Sequence, residues 1–233
     1  MVITSKQNKS FKLWKNLKLK KYRDAHGMFL VYGKHLVEKA KEHHAILEIL
    51  TTSEIEGCTT LTKELMDDLQ QAETYFDLIA VCKKNNPKID SPKVLMLDDV
   101  QDPDNVGALI RSAAAFGFLH IIVSLKSADF YNEKVIRASK GAIFDVYLER
   151  KPLEESILSF IDKEYQIIYA DAHESGSVNK TKKTVLILGN EGHGISDSIK
   201  ALSDQSIHIQ TENVESLNVS VAGGILMYEW RKL

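Results

Sequence analysis

Three polar segments of the chain, each following an apolar run and preceding a helical pattern, carry the side chains best suited to chemistry. The first spans 102–111 and contains Asn105 and Arg111. The second spans 189–194 (GNEGHG) and the third spans 215–222 (ESLNVSVA). In open parallel α/β sheets, ligands bind beyond the carboxyl ends of the strands. The pattern therefore predicts that all three segments lie at the ligand-binding edge of one sheet.

The first segment offers a cation on a helix. Asp102-Pro103 is expected to turn the chain, Asn105 to cap a helix and Gly117 to end it. At about 100° per residue, the face that carries Arg111 also carries small residues. These are Gly107, Ala108, Ala114 and Ala115. Small side chains around one arginine allow a ligand to approach the backbone, and the alternative is a surface arginine on an Ala-rich helix packed against a neighbour.

The second segment has three glycines in six positions, which predicts a tight turn with exposed backbone amides. It lacks the Lys-Ser/Thr of a P-loop and the spacing of a dinucleotide fingerprint. Glu191 within the turn would repel a phosphate and would suit a positively charged ligand. We interpret His193 as a residue of the loop without a chemical role.

The third segment places Ser216 and Asn218 at the start of the last helix, where they can cap the helix or bind polar ligand atoms. The helix about 218–231 is expected to be largely buried, with Val221, Ile225 and Tyr228 among its apolar residues. Two consecutive glycines, 223–224, cost about 1 kcal/mol each against alanine and therefore indicate close helix packing.

Together the three segments resemble the three motifs of the SpoU–TrmH type of RNA 2′-O-ribose methyltransferase, in the SPOUT superfamily. The resemblance implies S-adenosyl-L-methionine as cofactor and RNA as substrate, with rRNA favoured over tRNA. It also implies a trefoil knot formed by the C-terminal segments and a homodimer that pairs through the last helix of the C-terminal domain.

The resemblance also assigns roles to individual residues. The residues implied in catalysis are Arg111, Asn105, Glu191, Ser216 and Asn218. The residues implied in cofactor binding are Gly189, Glu191, Ile209, Leu217 and Asn218. The chain departs from the family pattern at Ile209-Gln210-Thr211, where members usually read Ile-Pro-Met, and the loop that follows is one residue short.

The N-terminal 23 residues are strongly basic, with seven lysines, one arginine and no acid. Phe11, Trp14 and Leu17 recur at helical spacing, so the stretch is expected to form a basic amphipathic helix. We favour a phosphate-binding surface that uses Lys9, Lys12, Lys15 and Lys18, with Arg111 as a further RNA contact. A solvated helix packed on its own domain and a membrane-surface helix are the alternatives.

Composition excludes several classes. No apolar run approaches the roughly 20 residues of a membrane span, and the first residues contain no apolar signal core. Cys58 and Cys82 are too few for a disulfide framework, and they have no partner at zinc-ligand spacing. We therefore expect a cytoplasmic protein without a metal or a membrane partner.

Apolar strands alternate with helical patterns, which predicts an α/β fold. We place a small α/β substrate-binding domain at 1–90 and a parallel-sheet methyltransferase domain, with the α/β knot of SPOUT proteins, at 91–233. The boundary falls in the polar stretch 83–93, which holds two of the four prolines. Strands in the second domain are expected at 94–97, 120–124, 146–148, 166–170, 185–188 and 207–209.

Two other functions compete with this interpretation. A non-catalytic RNA-binding or ribosome-assembly protein would use the same scaffold, but it would not need Asn105, Arg111 and Glu191 together. A Rossmann-type dehydrogenase or a small-molecule methyltransferase would carry a Gly-x-Gly-x-x-Gly after its first strand, and this sequence has none.

Overall fold

A computed structural model describes residues 1–70, 75–171 and 180–231. The first of its two sheets has the strand order β1-β4-β3-β5-β2. Its strands are β1 (Val2–Ile3), β2 (Met28–Tyr32), β3 (Ile46–Thr51), β4 (Thr59–Leu61) and β5 (Leu78–Lys83). The helices that accompany it are α1 (Lys9–Asn16), α2 (Lys20–His26), α3 (Lys34–Glu42) and α4 (Lys63–Leu69). We call this sheet with its helices the N-terminal unit.

The second sheet is parallel throughout, with the strand order β11-β9-β10-β6-β7-β8. Its strands are β6 (Lys93–Leu97), β7 (His120–Val123), β8 (Tyr147–Arg150), β9 (Gln166–Ala170), β10 (Thr184–Leu188) and β11 (Gln205–Ile207). The helices are α5 (Pro103–Phe116), α6 (Glu133–Ser139), α7 (Leu153–Ile161), α8 (Asp197–Ala201) and α9 (Val219–Trp230). The predicted α/β class, with a parallel sheet after a smaller sheet, is confirmed.

The centre of the second sheet consists of β6 and β10, which pair in register and are buried along their whole length. Helices cover both faces of such a sheet, so its strands read as continuous apolar runs. Because the two strands are parallel neighbours, the chain leaves both at the same edge. The segments that begin at Asp98 and Gly189 are therefore side by side.

The basic N-terminal stretch forms two short helices, α1 and α2, and not the single helix that we expected. Its apolar residues Phe11, Trp14 and Leu17 are buried in the core of the N-terminal unit. Lys18 lies in the break between the helices and donates hydrogen bonds to the carbonyl oxygens of Asp68 and Gln70, at 2.7 and 2.8 Å. These contacts join segments 50 residues apart, which a local pattern does not reveal.

The two sheets share one hydrophobic core, in which residues of β2 and α3 pack together with residues of α5 and α6. The ring centroids of Phe29 and Tyr131 are 4.7 Å apart across this boundary. Arg23 is buried and forms an ion pair of 2.6 Å with Asp129. Polar and apolar contacts thus fix the N-terminal unit against the second sheet, while the domain division at residue 90 stays a prediction.

Asp24 adds a charged contact near the same boundary. Burial alone would raise the pKa of its carboxyl, but hydrogen bonds from Lys20 and Lys84 outweigh burial and lower the pKa to about 2. A carboxyl whose pKa is depressed by folding stabilises the folded state above its unfolded pKa, about 3.9. That stabilisation is lost as the pH falls towards 2.

Asn86, in the segment between the two sheets, contacts the outer side of β8. Its side-chain amide donates to the carbonyl oxygen of Leu148 at 2.6 Å, and its side-chain oxygen accepts from the Leu148 amide at 2.8 Å. One side chain therefore satisfies both backbone groups of a residue on the last strand of the sheet.

Helix α9 is less buried than the sequence indicated. Val221, Ile225 and Tyr228 are 50%, 41% and 45% exposed and form a stripe at helical spacing. The expectation of a largely buried helix was wrong for this side, because the close packing on α5 and the sheet is made by the opposite side. Gly223 lies on that packed side. A Cβ there would lie 2.5 Å from Leu188 Cδ1 and would also overlap Leu109.

None of the helices in the three described ranges is long and apolar enough to cross a membrane.

The two glycines of α9 should respond oppositely to alanine. Gly223→Ala should destabilise the protein by about 1–3 kcal/mol, since its methyl group overpacks the α5–α9 contact. Gly224→Ala should be neutral or stabilising by up to about 1 kcal/mol, because its Cβ would meet nothing closer than Ser112 Oγ at 3.6 Å. Urea unfolding of both variants measures the difference, and equal midpoints would contradict this account.

Candidate active site

The second polar segment forms a closed loop after β10. Asn190 and Gly194 exchange backbone hydrogen bonds of 3.1 and 3.0 Å. The Asn190 side chain accepts from the amides of Gly192 and His193 and donates to the carbonyl oxygen of Asp99 at 2.8 Å. Asn190 therefore holds the loop in shape and ties it to the segment that follows β6.

Gly189 permits this closure. A Cβ at this position would lie 2.5 Å from the carbonyl oxygen of Gly194 and 2.7 Å from the amide nitrogen of Ile195. Both are backbone atoms, so no side-chain rotation can relieve the overlap. Any residue other than glycine must open the loop.

Asn105 connects the three polar segments. Its side-chain amide donates to Glu191 Oε1 at 2.7 Å, and its side-chain oxygen accepts from Asn218 Nδ2 at 3.0 Å. Asn105 is buried, whereas Glu191 and Asn218 are exposed. Three of the residues singled out in the sequence are thus one hydrogen-bonded chain.

The expectation that Asn105 caps α5 was wrong. The helix begins at Pro103, and Asp102 is the capping residue, with its side chain accepting from the Asp104 amide at 2.9 Å. Asn105 consequently lies inside the first turn, and its side chain is available for Glu191 and Asn218. Asn218 does cap its own helix, since its side-chain oxygen accepts from the Ser220 amide at 2.9 Å. Gly117 ends α5 in a left-handed conformation, as expected.

A cavity of about 620 Å³ opens between the second and third segments. All five residues implied in cofactor binding line it, and Ser216 does so as well. These are Gly189, Glu191, Ile209, Leu217 and Asn218. Ile209 lies just beyond the end of β11, because that strand covers Gln205–Ile207 and not 207–209 as expected.

Sequence reasoning missed part of this cavity. Asp171, which follows β9, lines it together with Lys200 and His208. Asp171 and Lys200 form an ion pair of 2.9 Å, and the Asp171 carbonyl oxygen lies 3.2 Å from His208 Nδ1. The sequence did indicate Asp171 as a candidate, because it directly follows a predicted strand and so lies at the carboxyl end of that strand.

Arg111 lies outside this cavity. It is exposed and borders a shallow depression lined by Ala108, Ser112, Ala115, Phe116 and Ala138. Gly107, expected on the same face, packs instead against Val135 and Ala138 of α6. Within the described ranges, Arg111 forms neither a hydrogen bond nor an ion pair. Its guanidinium is therefore available to a ligand or a partner.

The N-terminal lysines are less free than their sequence indicated. Lys15 pairs with Asp68 at 3.0 Å, and Lys18 is held by the backbone contacts described above. Lys12 bonds to Gln7, while Lys9 is exposed. The charge of the stretch is thus partly compensated by acids from other elements. RNA binding by Lys9, Lys12, Lys15 and Lys18 stays a prediction.

No group of three or more acidic, histidine or cysteine side chains within 1–70, 75–171 and 180–231 is placed to hold a metal ion.

Two family models match the chain. Residues 92–228 match the model of the SpoU rRNA methylase family. The chain belongs to this family. Residues 8–88 match a second model, the MRM3-like substrate binding domain.

Individual relatives of the chain match it over almost its whole length. RlmP of Bacillus subtilis, a 23S rRNA (guanosine(2553)-2′-O)-methyltransferase, is 32% identical over 98% of this chain and 98% of its own. The structure of the SpoU methyltransferase AviRb from Streptomyces viridochromogenes, in complex with AdoMet, has a TM-score of 0.84 at 24% identity and covers 97% of this chain and 98% of that chain. An AdoMet-bound rRNA methyltransferase from Sinorhizobium meliloti has a TM-score of 0.85 at 23% identity, covering 100% and 97%.

The chain is thus an RNA 2′-O-ribose methyltransferase of the SpoU–TrmH type, and S-adenosyl-L-methionine is its cofactor. The cavity fits this cofactor in size, since small-molecule pockets measure about 300–1,000 Å³. It fits in charge as well, because Glu191 and Glu215 line it, and carboxylates suit a ligand with a sulfonium and an ammonium group. The third carboxylate of the lining, Asp171, is paired with Lys200.

The glycine loop gives a direct test of the cofactor site. Gly189→Ala should weaken S-adenosylmethionine binding at least about tenfold, because a methyl group there opens the loop that lines the cavity. Gly224→Ala is the matched control, since Gly224 does not line the cavity and its Cβ would meet nothing closer than 3.6 Å. Isothermal calorimetry gives both dissociation constants, and a wild-type value for Gly189→Ala would count against this site.

Proposed function

We propose that this enzyme methylates the 2′-hydroxyl of a ribose in ribosomal RNA of the large subunit. The observation that carries the proposal is the match to RlmP, which extends over 98% of both chains and therefore includes the N-terminal unit. In a two-part enzyme of this kind, the unit outside the catalytic fold selects the RNA. The match of residues 8–88 to a substrate-binding domain supports the same assignment.

In this proposal the cofactor occupies the cavity beside the loop 189–194. Gly189, Ile209 and Leu217 would hold the adenosine moiety, and Glu191 and Asn218 would hold the edge of the loop beside it. When bound, the cofactor supplies an electrophilic methyl group on a sulfonium. The chain's own residues position the ribose and exclude competing geometries, which is catalysis by orientation.

The Asn218–Asn105–Glu191 chain gives this orientation its rigidity. Each amide donates through its nitrogen and accepts through its oxygen, so the chain of hydrogen bonds sets the position of Glu191 at the cavity. Ser216 also lines the cavity, and in this proposal its hydroxyl binds the ribose. We assign these four residues to positioning of loop and ribose.

Arg111 is assigned to the charge that develops on the ribose oxygen. The oxygen bonds to the methyl carbon while the carbon–sulfur bond breaks and its electron pair neutralises the sulfonium. The hydroxyl proton passes to water, because a guanidinium remains protonated and cannot accept it. Arg111 stabilises the developing alkoxide and holds a neighbouring phosphate in a two-point contact.

The test is methyl transfer from radiolabelled S-adenosylmethionine to ribosomal RNA and to tRNA, followed by nucleoside digestion. The wild type should produce a 2′-O-methyl nucleoside from ribosomal RNA. Arg111→Ala should lower turnover by at least about 100-fold, while cofactor affinity stays within about twofold because Arg111 lies outside the cavity. Near-normal turnover would remove Arg111 from catalysis, and transfer to neither RNA would favour a non-catalytic RNA-binding protein.

We also propose a homodimer that forms through the exposed side of α9. The stripe of Val221, Ile225 and Tyr228 would otherwise leave apolar surface in water, and Phe116 of α5 extends it through an edge contact with Tyr228 at 5.6 Å. Because Arg111 lies on the same helix as Phe116 and apart from its own cavity, pairing of this face would let Arg111 serve the cavity of the partner.

Ile225→Asp should convert the dimer to a 26.3 kDa monomer, since it places a charge within the apolar stripe. Leu158→Asp is the control, because Leu158 is 52% exposed but lies on α7. Sedimentation equilibrium distinguishes the two species. Mixing Arg111→Ala with Gly189→Ala chains should restore activity if Arg111 acts across the interface, whereas an inactive mixture would place it within one chain.

Two further features are proposals. A trefoil knot in the C-terminal part is supported by the family and by the tight packing of α9 against α5 at Gly223. A cytoplasmic location is supported by the two cysteines, which are both free.

A further inference from the structure

Helix α6 spans the distance between the catalytic edge and the N-terminal unit. At its C-terminal end, the Lys140 carbonyl oxygen lies 3.1 Å from His35 Nε2 of α3. The next residue, Gly141, is so close to α3 that a Cβ would lie 2.8 Å from Lys39 Cγ. This end of α6 therefore rests on the N-terminal unit.

The beginning of α6 lies beside the first turn of α5. Glu133 is buried there, and burial chiefly raises the pKa of its carboxyl. Asp104 raises it further by charge repulsion, whereas Arg137 and Lys134 lower it. Asp104 precedes Asn105 in the sequence, so α6 starts near the hydrogen-bonded chain of the active site. Its penultimate residue, Ala138, lines the Arg111 depression, which therefore lies near the C-terminal end of α6.

The outer surface of α6 carries cations that the fold leaves unused. Lys134 and Lys140 are exposed, and neither forms an ion pair or a side-chain hydrogen bond within the ranges that the structure describes. Arg137 pairs with the buried Glu133 at 3.2 Å, yet its side chain remains 42% exposed. By contrast, Lys15 and Lys18 of the basic N-terminal stretch are already engaged.

We propose that the exposed face of α6 is the path along which a single strand of RNA runs from the N-terminal unit past Arg111 towards the first turn of α5, with Lys140, Arg137 and Lys134 holding its phosphates. This rests on the proposed function and deepens it by naming the surface that the substrate follows. The lysines position the backbone without reading sequence, because an ammonium is a point charge.

Two features make this face suited to a nucleic-acid backbone. Ala138 has a short side chain, so the surface of α6 is low beside Arg111. An RNA strand can therefore lie close to the helix at the place where the reacting ribose must turn inward. Lys140 occupies a left-handed conformation with φ of 51°, which favours Gly or Asn. The chain thus has a cation at a position where the backbone alone would prefer a residue without charge.

The experiment compares Lys134→Ala/Lys140→Gly with the wild type. Binding of a short fluorescein-labelled single-stranded RNA of mixed sequence is measured by anisotropy at several potassium chloride concentrations. Each lost phosphate contact should reduce the slope of log affinity against log salt by about 0.7, so the double variant should lose about 1.4. Its dissociation constant should rise at least fivefold at the lowest salt concentration.

Lys182→Ala is the matched control. Lys182 is exposed and precedes β10, at the end of the strand opposite to the loop 189–194, so its slope should equal that of the wild type. Urea unfolding and calorimetry with S-adenosylmethionine accompany the measurement. The double variant should unfold at an equal or higher midpoint, because glycine fits the left-handed conformation, and its cofactor affinity should be unchanged.

A wild-type slope in a folded double variant would overturn the proposal, and so would an equal loss of slope in Lys182→Ala. If the wild type bound RNA through α6 but transferred no methyl group to ribosomal RNA, the proposed function would fail while the path stood. If the double variant transferred methyl groups and kept the wild-type slope, the RNA path would fail while the proposed function stood.

Discussion

The candidate active site depends on the buried side chain of Asn105. A buried amide must have partners for both its donor and its acceptor groups. Asn105 finds them in Glu191 and Asn218, which lie 86 and 113 residues further along the chain. One side chain therefore fixes the first turn of α5, the glycine loop after β10 and the start of α9 in a single arrangement. The cavity between the loop and α9 has its shape because these three elements cannot move independently.

The second constraint is the shared core of the two sheets. A substrate-binding unit on a flexible tether would sample many orientations, whereas here aromatic rings and the buried Arg23–Asp129 pair hold it against the methyltransferase sheet. Breaking such a pair by removing one partner leaves an uncompensated buried charge and is strongly unfavourable. The N-terminal unit therefore keeps one orientation relative to the cavity.

Sequence reasoning recovered the elements well and the long-range contacts poorly. The strand 166–170 matches the structure to the residue, because its apolar pattern is regular. The short strands β1 and β4 were missed, since two or three residues carry no period. The three motif segments did converge, as predicted. The role of Asn105 in joining them was not foreseen, because we expected Asn105 to cap α5, whereas Asp102, three residues earlier, caps that helix.

Because long-range contacts cannot be read from the sequence, the expectations for the basic N-terminus and for α9 were also incomplete. The sequence shows eight positive charges in residues 1–23, but it does not show that the fold brings Asp68 to Lys15. In α9, one apolar side packs against the sheet while the other is open, and hydrophobicity alone does not distinguish them.

The contact of Asn86 with Leu148 has a consequence for behaviour at high concentration. Strand β8 ends the parallel sheet, and the unpaired backbone groups of such a strand are a template for pairing with another molecule. Asn86 occupies both groups of Leu148 at once and so acts as a one-residue neighbouring strand. The segment that joins the two sheets therefore also blocks part of the β8 edge from pairing with another molecule.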